Sequence, residues 1–378
     1  MIRIDRRLFE HFDFVLLLLI LLVCGMALFN LYSATYPAKG FGMSPYLKQA
    51  YYFLFGFACC LIILSVDYQV LHILNYPIYV AVLILLALSY VIGSEAGGAQ
   101  RWINLGVIKL QPSEPAKLMM VISLASYYSR KEVIDGYTLK QLIMPILLTA
   151  IPFLLILKQP DLGTALMLGI IFVSMTMLAK LRLSTLLTLA GSGLAVVVFA
   201  WEKLLKPYQK QRIQTFLNPE ADKMGHGYQI MQSKIAVGSG GRFGKGYMEG
   251  TQGHLHFLPE RHTDFAFAVW GEEWGFVGCL FFLGCYFIML LWGLHVAMHA
   301  RDRFGVLLAF GVVMLIFWQA VINLLMIMGF LPVVGIPLPL VSYGGSSLLT
   351  TLLALGILMN ISMRRFGPTH GSSTGQDK

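Results

Sequence analysis

The sequence predicts an all-α polytopic membrane protein with about ten transmembrane helices and one large extracytoplasmic loop. Three observations lead there. The 378 residues are 57% hydrophobic and only 12% charged, against about 25% charged in soluble domains. Apolar runs long enough to cross a hydrocarbon core of about 30 Å recur along nearly the whole chain. One long polar excursion, roughly Glu202 to Thr263, interrupts them.

The elements follow in order. Arg3, Arg6 and Arg7 precede the first run, about Phe14 to Leu31. That run is too long for a signal-peptide core and has no clear cleavage site, so it reads as a retained first helix. Apolar runs lie near 14–34, 50–66, 74–93, 113–129, 141–158, 164–180, 184–201, 267–298, 304–331 and 344–363. The run 267–298 is long enough to tilt or to include a non-spanning portion. Lys and Arg in short loops set the orientation. Arg130, Lys131, Lys140, Lys180, Arg182, Arg301, Arg303, Arg364 and Arg365 share a side with the first arginines. The other side holds only Lys39, Lys48, Arg101, Lys109 and Lys158. Both termini are therefore expected in the cytoplasm and the large loop outside.

Residues 1–366 then form one transmembrane domain, with the large loop at about 202–266, and 367–378 a short polar cytoplasmic tail. The connection 332–346 carries Pro332, Gly335, Pro337, Pro339, Gly344 and Gly345 and cannot be a regular helix. Irregular backbone at membrane depth survives only where protein or a watery cavity satisfies it, so this segment is expected to line a cavity. Cys24, Cys59, Cys60, Cys279 and Cys285 all lie in apolar runs and read as small hydrophobes. No internal repeat supports an inverted-repeat transporter.

Chemistry is sought where ionisable groups meet apolar helices, because a charge at mid-bilayer costs about 2.5–3.5 kcal/mol on insertion scales. Asp264 closes the stretch Phe257 to Phe265 and leads into such a helix. It reads either as an N-cap paired with Arg261, or as a general base tuned by Arg261 and His262. Glu114 and Lys117 share a helix face at i, i+3, with Ser113 as the expected cap. They are either a structural ion pair or part of a substrate site. Arg101 beside Trp102 is a snorkelling arginine or a phosphate clamp. Asp161 sits in a tight outside turn after Lys158 and caps the next helix. The large loop is basic, which favours anionic headgroups or a lipid-linked phosphate. Its glycine cluster Gly238–Gly246 offers a weak phosphate nest. There is no His/Cys zinc cluster, and the Gly-x-Ser-x-Gly match at Gly371 to Gly375 lies in the polar tail and not at a strand-to-helix elbow, which argues against zinc and serine-hydrolase chemistry of those kinds.

Four stretches recur together in a known order. They are Arg101-Trp102-Ile103 with Gln111-Pro112-Ser113-Glu114, and Gln159-Pro160-Asp161-Leu162-Gly163-Thr164. Then come Phe257 to Phe265 followed by Gly271-Glu272-Glu273, and Gly335 to Pro339 with Val341-Ser342-Tyr343-Gly344-Gly345-Ser346. On these the chain resembles the SEDS family (shape, elongation, division and sporulation) from the first helix to Phe366. Arg261 and the short tail favour the elongation member over the division member. Trp274 stands where an aliphatic residue is expected, which bears on packing only.

The resemblance implies a GT-C-like architecture and a peptidoglycan glycosyltransferase that polymerises lipid II on the outer face of a bacterial cytoplasmic membrane. It puts the essential aspartate on Asp264 and substrate-binding roles on Arg101, Glu114, Lys117, Asp161, Arg261, His262 and Ser342. It implies as partners a class B penicillin-binding protein (a transpeptidase), the undecaprenyl-linked lipid II substrate and the elongation machinery, with no nucleic acid. The expected reaction is an inverting transfer in which Asp264 takes the proton from the attacking sugar hydroxyl. Arg101, Lys117, the basic loop or a divalent cation such as Mg or Mn would stabilise the departing pyrophosphate. Two other readings stay open: a lipid II flippase, and a scaffold that only activates a synthase.

Overall fold

The computed structural model describes residues 11–36, 43–96, 99–104, 109–131, 133–204, 206–222, 225–254 and 257–365. Arg3, Arg6, Arg7, Lys39, Lys223 and the chain from Phe366 onward lie outside the described residues. Every expected apolar run is helical. The first half holds α1 Phe14–Thr35, α2 Pro45–Ser65, a short α3 Gln69–Ile73, α4 Asn75–Ile92, α5 Ser113–Arg130, α6 Leu139–Lys158, α7 Leu162–Leu178 and α8 Leu183–Phe199. The polar excursion holds α9 Pro207–Leu217, α10 His226–Ser239 and α11 Thr251–His254. It is followed by α12 Ala266–Met298, α13 Arg303–Ile327 and α14 Gly345–Met363.

Seven of these, α1, α2, α4, α6, α12, α13 and α14, are long and apolar enough to cross a membrane. The other three expected spans differ for physical reasons. α7 and α8 are shorter, at 17 residues each. α5 carries Glu114, Lys117 and Arg130, yet almost every residue from Ser113 to Tyr128 is buried. It packs against α4, α6, α7, α13 and α14. A helix ringed by protein need not be apolar, because its polar groups meet partners and not lipid. On the outside of the bundle, Phe276, Leu280 and Phe287 stay exposed, as lipid-facing side chains do.

α12 is two helices in one. Gly275 has φ 63° and ψ −161°, which breaks the helix between a half-helix ending at Trp274 and a longer segment from Phe276. The orphaned ends are met by the glycine cluster of the large loop. Lys245 N and Gly246 N donate to Glu272 O (3.0 Å) and Glu273 O (3.1 Å), while Gly241 O and Arg242 O accept from Phe276 N (2.9 Å) and Val277 N (3.0 Å). A Cβ on Gly275 would lie 2.3 Å from Gly244 N, so the close approach itself requires glycine. The phosphate-nest expectation for Gly238–Gly246 is therefore corrected: these backbone groups cap a broken helix.

One region departs from the all-α expectation. The loop after α4 is an antiparallel sheet of β1 Ser94–Ala96, β2 Ala99–Asn104 and β3 Lys109–Leu110. Its register pairs Ser94 with Trp102 and Ile103 with Leu110. Trp102 and Ile103 carry strand propensity, and Ile103 buries itself under the sheet. The cap expected at Ser113 also changes. Helix α5 begins at Ser113 with Pro112 as its N-cap, and the Ser113 hydroxyl donates to Asp161 Oδ2 at 3.4 Å.

Candidate active site

Asp264 stands two residues before α12, where a capping aspartate would accept a first-turn N–H. It does not cap. The N-cap is Phe265 and no side chain fills that role. The Asp264 carboxylate accepts no hydrogen bond among the described residues. Its main chain is what the fold holds: Asn323 Nδ2 donates to Asp264 O at 2.8 Å and to Ile336 O at 2.8 Å. Beside Ile336, Gly335 adopts φ 72°, and a Cβ there would lie 3.6 Å from Asp264 Oδ2. Only glycine takes that backbone conformation cheaply while leaving the carboxylate its space.

The carboxylate is half-buried, reached by water but surrounded mostly by protein. Burial pushes its pKa up to about 6, Glu260 adds to the rise, and the Arg212 charge of α9 opposes it. A carboxyl near neutrality with unengaged lone pairs is a competent proton acceptor. Its neighbours are otherwise occupied. Thr263 Oγ1 donates to Glu260 Oε2 at 2.8 Å. Arg261 turns away and donates Nη1 to Gly253 O, so the expected ion pair with Asp264 is absent among the described residues. His262 lies 5.9 Å from the Tyr343 ring. Burial, against Glu260 and with Arg261, holds its imidazole below the ordinary histidine value.

Three of the four stretches singled out in the sequence close into a ring, and the fourth, Phe257 to Phe265, joins it through the irregular segment. Arg101 Nε donates to Gln159 O at 2.9 Å, and Nη2 donates to Pro160 O. Gln111 Nε2 reaches Asp161 Oδ2 at 3.2 Å. A Cβ on Gly163 would stand 2.7 Å from Val334 O, which places the Asp161 turn against the segment that carries Gly335. Tyr343 N donates to His262 O at 2.8 Å. Gln111 N donates to Ser346 Oγ at 2.9 Å, and that hydroxyl donates on to Lys109 O at 2.8 Å. Several groups of the irregular segment thus find protein partners, one of the two ways in which such backbone is tolerated; neither cavity described for the structure is lined by it. Ser342 Oγ accepts from Leu338 N at 2.9 Å, and Gln49 Nε2 donates to Ser342 O at 3.2 Å.

Just inside the ring, Lys117 Nζ lies 2.8 Å from Glu114 Oε1, and both side chains are almost wholly buried. Asp161 caps α7 as expected, with Oδ1 accepting from Thr164 N at 3.2 Å. Its Oδ2 also accepts from Thr164 Oγ1 at 3.0 Å. Arg101 and Asp161 therefore share the turn at 159–161, Glu114 and Lys117 pair with each other on α5, and Asp264 and His262 lie on the joined stretch, with Ser342 on the irregular segment. Arg101, Asp161 and Ser342 all have protein partners, a geometry that braces the ring.

Sequence reading passed over Asn323, Gln49 and Arg212 as individual site residues. For Asn323 the signal was present, since a lone amide inside the apolar run 304–331 is an expensive residue to bury without a partner. Among the described residues no three His, Cys, Asp or Glu side chains gather as a metal cage. Beside Asp264, Glu260 is the second carboxylate among the described residues, and it already holds Thr263. Two carboxylates do not make an all-protein cation cage, so a divalent cation there would take its other ligands from substrate phosphates. A cavity of about 430 Å³ lies elsewhere, between Asp135, Gly136, Lys180 and Leu181. These residues belong to the loops at the opposite ends of α5, α6 and α7, far from any candidate base.

Known proteins resemble this chain over most of its length. A family model described as cell cycle protein, covering FtsW, RodA and SpoVE, matches residues 13–366. The Escherichia coli K12 peptidoglycan glycosyltransferase MrdB is 42% identical over 76% of this chain and 77% of its own length. Treponema pallidum RodA, also a peptidoglycan glycosyltransferase, is 35% identical over 94% of this chain and 98% of its own. A probable peptidoglycan glycosyltransferase FtsW from Trichlorobacter lovleyi is 39% identical over 96% of each. Among solved structures, a chain from a peptidoglycan synthase complex that coordinates polymerization and crosslinking aligns with TM-score 0.82. It is 32% identical, over 94% of this chain and 99% of that one. The Thermus thermophilus rod shape determining protein RodA aligns with TM-score 0.71 at 30% identity, over 94% and 98%.

Proposed function

Because this chain belongs to the FtsW, RodA and SpoVE cell cycle protein family, we propose that it polymerises lipid II into glycan strands during cell elongation, with Asp264 as general base. It is a peptidoglycan glycosyltransferase and a multi-pass bacterial membrane protein. The elongation assignment draws on Arg261 and on the MrdB and RodA relatives. The observation that carries the mechanism is a half-buried carboxylate, pushed up to about 6, that no donor among the described residues engages.

In the proposed step the 4-hydroxyl of a GlcNAc unit loses its proton to Asp264 as its oxygen bonds to C1 of a donor MurNAc. The C1–O bond to the pyrophosphate breaks, and its electron pair leaves with undecaprenyl pyrophosphate, inverting C1. The donor brings its own leaving group, so base and charge stabilisation suffice. Arg212, whose charge already bears on Asp264, is the cation we place on the departing pyrophosphate. Asp161 and Arg101 act by bracing the turn. No step is routed through a metal.

With both termini cytoplasmic, the ring faces outside, where a class B penicillin-binding protein would crosslink the product. The structural neighbour from a polymerization and crosslinking complex supports such a partner. Purified protein, lipid II and the transpeptidase, with glycan length read on a gel, test the reading. Headgroup movement across vesicles without polymer would make the chain a flippase. Polymer made equally by Asp264→Asn would leave the aspartate without its role.

A further inference from the structure

Beside Asp264 stands a buried polar side chain with no part in the proposed reaction. Asn323 lies inside α13, wholly buried. Its single amide nitrogen joins two segments that are far apart in sequence, donating to Asp264 O and to Ile336 O, both at 2.8 Å. Its Oδ1 is buried and accepts no hydrogen bond among the described residues, so the contacts of this side chain are made by its two N–H groups. Both carbonyls bear on the carboxylate. One belongs to Asp264 itself, and the other adjoins Gly335, whose Cα faces Asp264 Oδ2.

We infer that Asn323 is a positioning residue for the transfer: a bracket that fixes the distance between Asp264 and the Gly335 segment, and with it the depth of the carboxylate. The inference rests on Asp264 being the base. The physical reason is that α12 and the irregular segment are otherwise joined near Asp264 mainly through Tyr343 N and His262 O. That bond lies two residues upstream, and the turn bonds from Thr263 N and Phe265 N to Glu260 O tie Asp264 to its own loop and not to the Gly335 segment. An amide anchored in a packed span is stiffer than a loop contact, and a misplacement of about 1 Å can cost about 100-fold in rate.

The bracket also sets the proton affinity of Asp264. Among the described residues, the charged and titratable groups around that carboxylate are Glu260, Arg261 and His262 on its own loop, Arg212 on α9 and the Tyr343 phenol of the irregular segment; residues 332–346 and the facing turns of α13 carry no charge. With those charges unchanged, loosening the bracket admits water and lowers the pKa towards the ordinary aspartate value.

The experiment compares Asn323→Ala and Asn323→Leu, which remove both donors without adding a charge, with Ser174→Ala, which removes a hydrogen bond from Trp318 on the same span without touching the site. We expect both Asn323 variants to lose 10- to 100-fold in kcat, on the order expected for a misplaced base, with KM for lipid II nearly unchanged. The acid limb of the pH–rate profile should move to lower pH in both, and stay in place for Ser174→Ala. The pH dependence of carbodiimide labelling at Asp264 should shift in the same direction. That labelling follows the carboxyl whether or not it is the base, so it separates failure of this inference from failure of the Asp264 assignment. An unmoved labelling curve in folded Asn323 variants overturns the bracket, as does a loss confined to KM. Should neither variant accumulate, Asn323→Ser, which keeps one donor, is read by the same labelling, and an unshifted curve there overturns it equally.

Discussion

Asp161 and Asp264 are the same residue in the same kind of place, each just ahead of a helix that enters the bundle. Their surroundings are opposite. Asp161 accepts from Thr164 N, Thr164 Oγ1, Gln111 Nε2 and Ser113 Oγ, at 3.0–3.4 Å. Asp264 accepts nothing among the described residues, and the fold grips its backbone instead. A carboxylate with all its lone pairs engaged stabilises structure, whereas one held by its main chain keeps its basicity for a substrate. Glu272, eight residues past Asp264, repeats the first pattern. Lys245 Nζ at 2.6 Å, Thr251 N at 2.8 Å and Gln252 N at 3.1 Å saturate it.

The comparison breaks most plainly at Asp264. Its change to Asn should cut polymer synthesis by about 10²- to 10⁴-fold, the usual cost of a general base, while lipid II binding persists in a titration. The parent's rate should rise through an acid limb near pH 6 as the base ionises.

A loss of similar size, this time in stability, is expected when one member of the buried pair is removed. Lys117→Met strands the Glu114 carboxylate and should cost about 3–5 kcal/mol. Pairing it with Glu114→Gln should recover most of the melting temperature. Recovery of activity as well would class the pair with Asp161 as structural, and continued inactivity would class it with Asp264.

Asp161→Ala removes a cap and its accessory bonds. About 1–2 kcal/mol should disappear from thermal unfolding, with activity falling only in step with folded protein. A kcat loss in fully folded Asp161→Ala would collapse the distinction between the two aspartates.

The smallest effect has the opposite sign. Asp264 has a raised pKa in the fold against about 3.9 unfolded, so the native state binds more protons between about pH 4 and 6 and stability falls as pH rises through that window. Removing the penalty, Asp264→Asn should be more stable than the parent by about 1–2 kcal/mol at pH 7.5, allowing for the water that reaches the group. Melts at pH 3.5 should show no gain.

Much of this was legible in the residues. The apolar runs, the ion pair of Glu114 with Lys117, the cap at Asp161 and the irregular 332–346 segment each follow from period, spacing or composition. The glycine cluster misled, because a nest of N–H groups looks the same whether it will meet a phosphate or the carbonyls of a broken helix. The strands at 94–110 were missed because short polar strands carry little periodic signal. Asn323 was visible as an amide in an apolar run, but its two acceptors lie 59 and 13 residues away in sequence.

By itself the sequence determined that this chain lives in a membrane, where its helices run, and which few ionisable groups must find partners or a purpose. Those conclusions need only local composition and the cost of burying charge. Tertiary structure alone decided which carboxylates found partners and which was left open. That outcome depends on donors such as Gln111, Ser113 and Asn323 arriving from distant segments, and no local pattern encodes whether they arrive.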